Sequence, residues 1–226
     1  MPLAALVILL AANLANNLLA PGAYVLTCLA AAGLLLAVAR RDGCGWSELG
    51  LGRASLRPGL RWSAVLVGVV LAGVSVAAAL PVARPAFEDA RAAGLSGAAV
   101  LWRALVRIPL GTALLEEVAF RGVLYALLAR RYGLRWAVAA SSLLFGLWHV
   151  LPSLELRDAN AVVGGLFGSG PLGAAAAVAG AVAGTAAAGV AFCELRRRSG
   201  SLLAPFALHW SLNGASLAVA WALGGG

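Results

Sequence analysis

Six ionisable or amide side chains sit in stretches otherwise fit for lipid. They are Glu116, Glu117 and Arg121 in LLEEVAFRG (114–122), His149 in FGLWH (145–149), and His209 and Asn213 in HWSLN (209–213). The chain has two histidines, and both belong to this set. An ionisable side chain at a bilayer centre costs at least about 2.5–3.5 kcal/mol on insertion scales, so groups kept there tend to mark sites. A buried carboxylate near an imidazole is a general base for water. A second imidazole with a carboxamide beside it offers donors for a developing oxyanion, and that set suits hydrolysis of an amide bond. The same residues allow another chemistry. Glu116, His149 and His209 make a His₂Glu set for zinc, with a fourth position open for water. The HExxH signature is absent, so such ligands would come from three separate helices. A polar network that merely holds the bundle together is the bland alternative.

Helical geometry divides the labour between the glutamates. Glu117 and Arg121 are four apart and share a face, so an ion pair is expected there. Glu116 lies about 100° round the helix from Glu117 and is left without that partner. The four-residue spacing recurs in Phe145/His149 and in His209/Asn213. Glu116 lies 14 residues before Arg130, and His149 lies 14 residues after Arg135. Both are then about 21 Å along their helices from one loop, and His209 is about 16 Å beyond Arg198. Three helices can bring these groups to a similar level.

Other chemistries fit worse. GLSG (94–97) matches a serine-hydrolase fragment, but Ser96 precedes an apolar run and reads as a helix N-cap. No aspartate falls inside an expected span, which argues against a paired-aspartate protease. There is no P-loop and no basic, aromatic surface for nucleic acid.

The elements that must position these groups are membrane helices. Of 226 residues, 62% are hydrophobic and 12% charged, with a mean hydropathy of +0.92. A soluble domain would have an apolar share nearer about 45–50%. Apolar runs near 3–20, 22–39, 62–80, 99–128, 136–151, 171–193 and 201–223 predict an all-α, polytopic bundle of about seven spans. The first run lacks the basic flank of a cleavable signal peptide and reads as a retained span. The net charge of +8 is carried by arginine, without a lysine. It gathers in the loops 40–61, 130–135 and 196–200, which predicts that these loops and the N-terminus face the cytoplasm and the C-terminus faces outside. Abundant Ala, Gly and Arg suit a GC-rich bacterial genome, and the bacterial plasma membrane is the expected location. Cys28, Cys44 and Cys193 give no disulfide framework and read as small hydrophobes. Residues 161–170 are Gly-rich and are expected to be irregular or re-entrant. Gly173, Gly180, Gly184 and Gly189 recur through the sixth span, with Gly180 and Gly184 at GxxxG spacing, and predict that this span is central in the bundle. Residues 1–98 are expected to form N-terminal helices and 99–226 the core that carries the chemistry.

EEVAFR, FGLWH and HWSLN, in that order on separate spans, resemble the CPBP family. This family comprises CAAX-type prenyl endopeptidases, bacteriocin-processing enzymes and related Abi proteins. FRGVLYALL and WSELGL add to the similarity. The resemblance covers residues 111–216 and implies an intramembrane endopeptidase acting on membrane-associated peptides or proteins within the lipid bilayer. It implies that Glu116 and His149 activate the water and that His209 and Asn213 support the oxyanion or complete the site. Glu117 and Arg121 would fix the geometry, with Phe145 in support. The family is often labelled metalloprotease, and a metal-free glutamate mechanism is also argued for it, so the cofactor is either none or zinc. The rival reading is a non-catalytic transporter, receptor or immunity protein.

Overall fold

The computed structural model describes residues 1–224. Helix makes up 83% of it, and no β-strand occurs among the described residues. All seven apolar runs fold as helices. They are α1 (Pro2–Leu14), α2 (Tyr24–Arg41), α3 (Leu56–Ala79), α4 (Gly97–Tyr132), α5 (Leu134–Trp148), α8 (Gly170–Ser199) and α9 (Leu203–Leu223). Two short helices, α6 (Leu156–Ala159) and α7 (Ala161–Phe167), lie between α5 and α8. Five stretches, containing α1, α2, α3, α4 and α8, are long and apolar enough to cross a membrane. The α5 helix qualifies only together with Leu151–Ala159, beyond a 47° bend, as a sixth broken span. The α9 helix has 21 residues, and His209, Trp210 and Asn213 dilute its hydropathy. Val65, Val69 and Leu71 of α3 are exposed, as side chains facing lipid must be. The chain is an integral membrane protein.

The core lies between α1, α2 and the middle of α4. Leu9, Cys28 and Leu35 pack there with Leu115, Val118 and Phe120, so residues 1–98 and 99–226 share one hydrophobic cluster. Residues 115–127 are buried without a break. The central helix is therefore the fourth and not the sixth, as the small-residue pattern had predicted. Gly184 of α8 has no neighbour within 4 Å, and Gly180 faces the Phe167 ring at the end of the short α7 helix. The close approach of α8 to α5 is at Gly189, where a Cβ would stand 3.0 Å from Ser142 Cα, and at Gly146. A Cβ at Gly146 of α5 would stand 2.6 Å from the Val182 carbonyl oxygen and 2.9 Å from Ala186 Cβ of α8.

Two further expectations are adjusted. The fifth span stops at Trp148, so His149 occupies its C-cap and not its interior. Pro152 lies just beyond, and a proline disfavours helix in the residue before it. The Gly-rich segment begins as the α7 helix and is irregular only at Gly168 and Ser169, with positive φ at Gly168 and at Gly170 where α8 begins. Ser96 does cap α4, accepting the Ala99 N–H at 3.2 Å. All three cysteines are buried and free.

At the Arg-rich end, the buried Arg196 donates to the Glu48 carbonyl at 3.0 Å, and the Leu202 N–H donates to Gly50. At the other end, the Trp221 indole N–H donates to the Leu95 carbonyl at 2.7 Å. The connections at both ends are thus tied to the bundle. Gly146→Ala is expected to destabilise the fold by about 1–3 kcal/mol, since the backbone of α8 must shift. Gly68→Ala on α3, with nothing within 4 Å, should be neutral or stabilising. Thermal melts in detergent that move equally for both variants would contradict the α5–α8 contact.

Candidate active site

The site is built on the buried middle of α4, where the backbone departs from regular α geometry. Arg103–Ala113 and Glu117–Leu124 follow the wider i→i+5 pattern on either side of a short α turn at Leu114–Glu116. Such π turns are rare and frequently fall at functional sites. Pro109 lies inside the first of them. It has no N–H to donate and its ring crowds the preceding turn.

Glu117 is 1% exposed and Arg121 is fully buried. Arg121 Nη1 donates to Glu117 Oε1 at 3.2 Å, so the expected ion pair is formed. The same oxygen accepts from His209 Nδ1 at 2.8 Å, a partner that spacing along the chain does not reveal. The Arg121 guanidinium lies over the Phe145 ring at 3.9 Å and the Phe192 ring at 4.7 Å. Its Nε and Nη2 have no hydrogen-bond partner. The negative ring faces stabilise that charge in place of acceptors.

Glu116 is 3% exposed. Its Oε1 accepts from the Trp148 indole N–H at 3.0 Å. Its Oε2 has no hydrogen-bond partner in the protein and lies 3.7 Å from His209 Nε2 and 3.9 Å from His149 Nε2. The orientation of both rings follows from their other nitrogens. His149 Nδ1 is 2.8 Å from the Phe145 carbonyl oxygen. A carbonyl only accepts, so Nδ1 carries the hydrogen and a neutral ring presents its Nε2 lone pair. His209 Nδ1 donates to Glu117 in the same way, which leaves Nε2 on the Glu116 side. Two imidazoles thus turn the same nitrogen toward one carboxylate oxygen.

Phe145 has a double part. Its carbonyl orients His149, and its ring lies edge-on to His149 and His209 at centroid distances of 4.8 and 6.2 Å. Asn213 stands apart. It is exposed and makes no hydrogen bond to the other five, although it shares a cavity wall with His149 and Thr112. That cavity, of ≈ 770 Å³, lies under the connections 81–96 and 149–169, opposite the Arg-rich loops. Glu116 and His209 sit behind His149.

Several supporting residues escaped the sequence reading. Trp148 holds Glu116, and its own carbonyl accepts from Asn13 of α1 at 2.9 Å. Ser141 donates to the Phe120 carbonyl at 2.6 Å, and Tyr24 is bonded to Thr112 at 3.0 Å. An indole N–H or a carboxamide inside a span needs a partner, which was the available signal. Nothing in the sequence named that partner.

The donor types in Glu116, His149 and His209 suit zinc, but their spacing does not. Ligand atoms of a tetrahedral site with bonds of about 2.0–2.1 Å lie about 3.3–3.4 Å apart, and here the oxygen is 3.7 and 3.9 Å from the two nitrogens. Among the described residues no group of three or more His, Cys, Asp or Glu side chains is arranged to hold a metal ion.

Residues 98–215 match the family model of Rce1-like proteins, described as type II CAAX prenyl endopeptidase Rce1-like. That stretch is just over half of the chain and contains all three motifs. No curated protein and no solved structure matches the chain.

Removing one side of a buried ion pair strands the other charge, at a cost of about 3–5 kcal/mol. Glu117→Gln and Arg121→Ala should each lower thermal stability on that scale. Glu116→Gln should cost far less, because the amide oxygen still accepts from Trp148. Equal destabilisation by Glu116→Gln and Glu117→Gln in detergent melts would remove the basis for this division.

Proposed function

The chain belongs to the Rce1-like family of type II CAAX prenyl endopeptidases, and from that membership we propose a specific chemistry for its buried cluster. As a member it is a CAAX-type protease of the membrane. In our reading, Glu116 and His149 activate the water that attacks a peptide bond, and the chemistry belongs to residues 99–226. The observation that carries this is the convergence of His149 Nε2 and His209 Nε2 on the unpartnered oxygen of Glu116, within 3.9 Å. Acceptors separated by slightly more than a hydrogen bond can share one water.

That water donates one hydrogen to Glu116 and the other to His149 Nε2, so its lone pair is directed at the substrate carbonyl. As the new C–O bond forms, the proton passes to Glu116. As the C–N bond breaks, the proton passes on to the leaving amine. Asn213, on the cavity wall, supplies an amide N–H to the oxyanion, and His209 completes the site from its anchor on Glu117. Glu117 and Arg121 touch no substrate. They hold His209, and Phe145 and Trp148 hold His149 and Glu116.

The substrate is a membrane-associated peptide or protein that reaches His149 through the cavity. With the Arg-rich loops in the cytoplasm, the mouth of that cavity faces outside. Purified protein in lipid nanodiscs should cleave a prenylated peptide, and Glu116→Gln or His149→Ala should lower kcat at least about a hundredfold, the low end of general-base contributions. Both variants folding normally with full activity would refute the assignment. A transporter would instead move a solute across liposomes without cleaving anything.

The metal question has its own measurement. Activity is expected to survive chelators, because the chain's own acceptors carry each proton in the scheme above. Stoichiometric zinc in elemental analysis, lost together with activity in His209→Ala, would overturn that expectation.

A further inference from the structure

Arg103 and Arg107 lie within the apolar stretch Gly97–Tyr132, yet neither has a carboxylate partner within 4 Å among the described residues. Arg103 donates to the Arg91 carbonyl at 3.2 Å, and Arg107 lays its guanidinium over the Tyr24 ring at 4.4 Å. Both line the ≈ 770 Å³ cavity that also holds His149 and Thr112 on its wall. Arg91 lines it too, but Asp89 already pairs with Arg91 at 2.6 Å. The wall therefore carries two half-buried positive charges without a carboxylate partner, compensated only by a ring face and a carbonyl oxygen. Arg103 and Arg107 are four residues apart on one helix, and like charges at that spacing repel. Tyr24 is bonded to Thr112 at 3.0 Å, which fixes the ring under Arg107.

We infer that Arg103 and Arg107 form an anion subsite in this cavity, one that takes a carboxylate of the peptide cut beside His149. The inference rests on the peptidase reading above. A guanidinium binds a carboxylate through paired, charge-assisted hydrogen bonds, and one carboxylate between two arginines relieves their repulsion. The register follows from the helix. Arg107 precedes Glu116 by nine residues, a rise of no more than about 14 Å. An extended peptide covers that distance in about four residues. The anion then lies within about four residues of the bond that is cut, as a free C-terminus or an acidic side chain. A lipid phosphate is disfavoured, because these arginines share a cavity wall with His149 instead of lying along a lipid-facing surface.

The test measures binding with Glu116→Gln, in phosphatidylcholine nanodiscs. The probes are a fluorescent S-farnesyl-cysteine peptide with a free C-terminal carboxylate, its C-terminal amide, and an amide whose last residue is glutamate. The free acid should bind at least about tenfold more tightly than the neutral amide, as expected for one charge-assisted hydrogen-bonded pair. Adding Arg107→Ala or Arg103→Ala should abolish that preference, and Arg107→Lys should restore part of it. Arg53→Ala, an exposed arginine at the far end, should leave it intact. If the glutamyl amide matches the free acid, any carboxylate suffices; if it does not, the subsite reads the terminus. Equal binding of acid and neutral amide, binding of neither, or a preference that survives both alanine variants in protein with normal melts would overturn the subsite. An arginine effect seen only with phosphatidylglycerol, and without the peptide preference, would assign the arginines to lipid phosphate and overturn it as well. The two readings fail separately. Wild-type cleavage of acid and amide with equal KM removes the subsite alone, whereas full activity in Glu116→Gln removes the proposed chemistry and leaves the binding result standing.

Discussion

The buried guanidinium of Arg121 is the constraint around which the rest of the bundle is arranged. A charge with no exposed surface has to be compensated on every side, or its desolvation outweighs what the fold can supply. Glu117 compensates it from one turn away, and the rings of Phe145 and Phe192 cover it from α5 and α8. The two ring contacts tie α5 and α8 to α4. The carboxylate that neutralises Arg121 also accepts from His209, so α9 is anchored to the same point. One ion pair thereby sets the relative position of every helix that contributes to the cluster.

The irregular backbone of α4 belongs to the same arrangement. In π turns the residues advance round the axis in smaller steps than the 100° of an α-helix, since each hydrogen bond closes a wider ring. The glutamates meet at Leu114–Glu116, the short α turn between two π segments. From that junction Glu117 faces Arg121 and His209, while Glu116 faces Trp148 and the Nε2 atoms of both histidines. The end of α5 at Trp148 acts in the same way. Leaving the helix at His149 frees the Trp148 carbonyl for Asn13 and puts the imidazole on the cavity wall while its Nδ1 still reaches the Phe145 carbonyl.

In the proposed reading, exposure to the cavity separates groups that hold from groups that react. The Glu117 side is enclosed: its Oε1 is shared between Arg121 and His209, and aromatic rings cover the guanidinium. On the Glu116 side a carboxylate oxygen is left without a protein partner, next to a histidine that reaches the cavity. Arg103 and Arg107 of the same helix also line the cavity wall, about three and a half and two and a half turns before Glu116. In the proposed reading, α4 carries both the glutamate that takes the proton and the arginines that meet the anion, while α5 and α9 supply His149 and Asn213.

Composition and periodicity determined the class of this protein. Seven apolar runs, the ordered motifs EEVAFR, FGLWH and HWSLN, the Glu117–Arg121 pair and the Ser96 cap all depend on local spacing, and each is present in the structure. Local spacing fails where a partner comes from another helix. It gave no sign that His209 is anchored on Glu117, that Trp148 holds Glu116, or that α4 and not the glycine-spaced α8 lies at the centre. The GxxxG pattern misled because Gly184 borders open space, whereas the close contact uses Gly146 and Val182, residues 36 apart. Regular helix geometry also hid the π turns, whose backbone pattern follows from packing around a buried charge and from Pro109. The sequence by itself determined which side chains had to be buried in a membrane bundle. Only the tertiary structure decided which of them face one another, because desolvated charges take whatever partner the packing brings within reach.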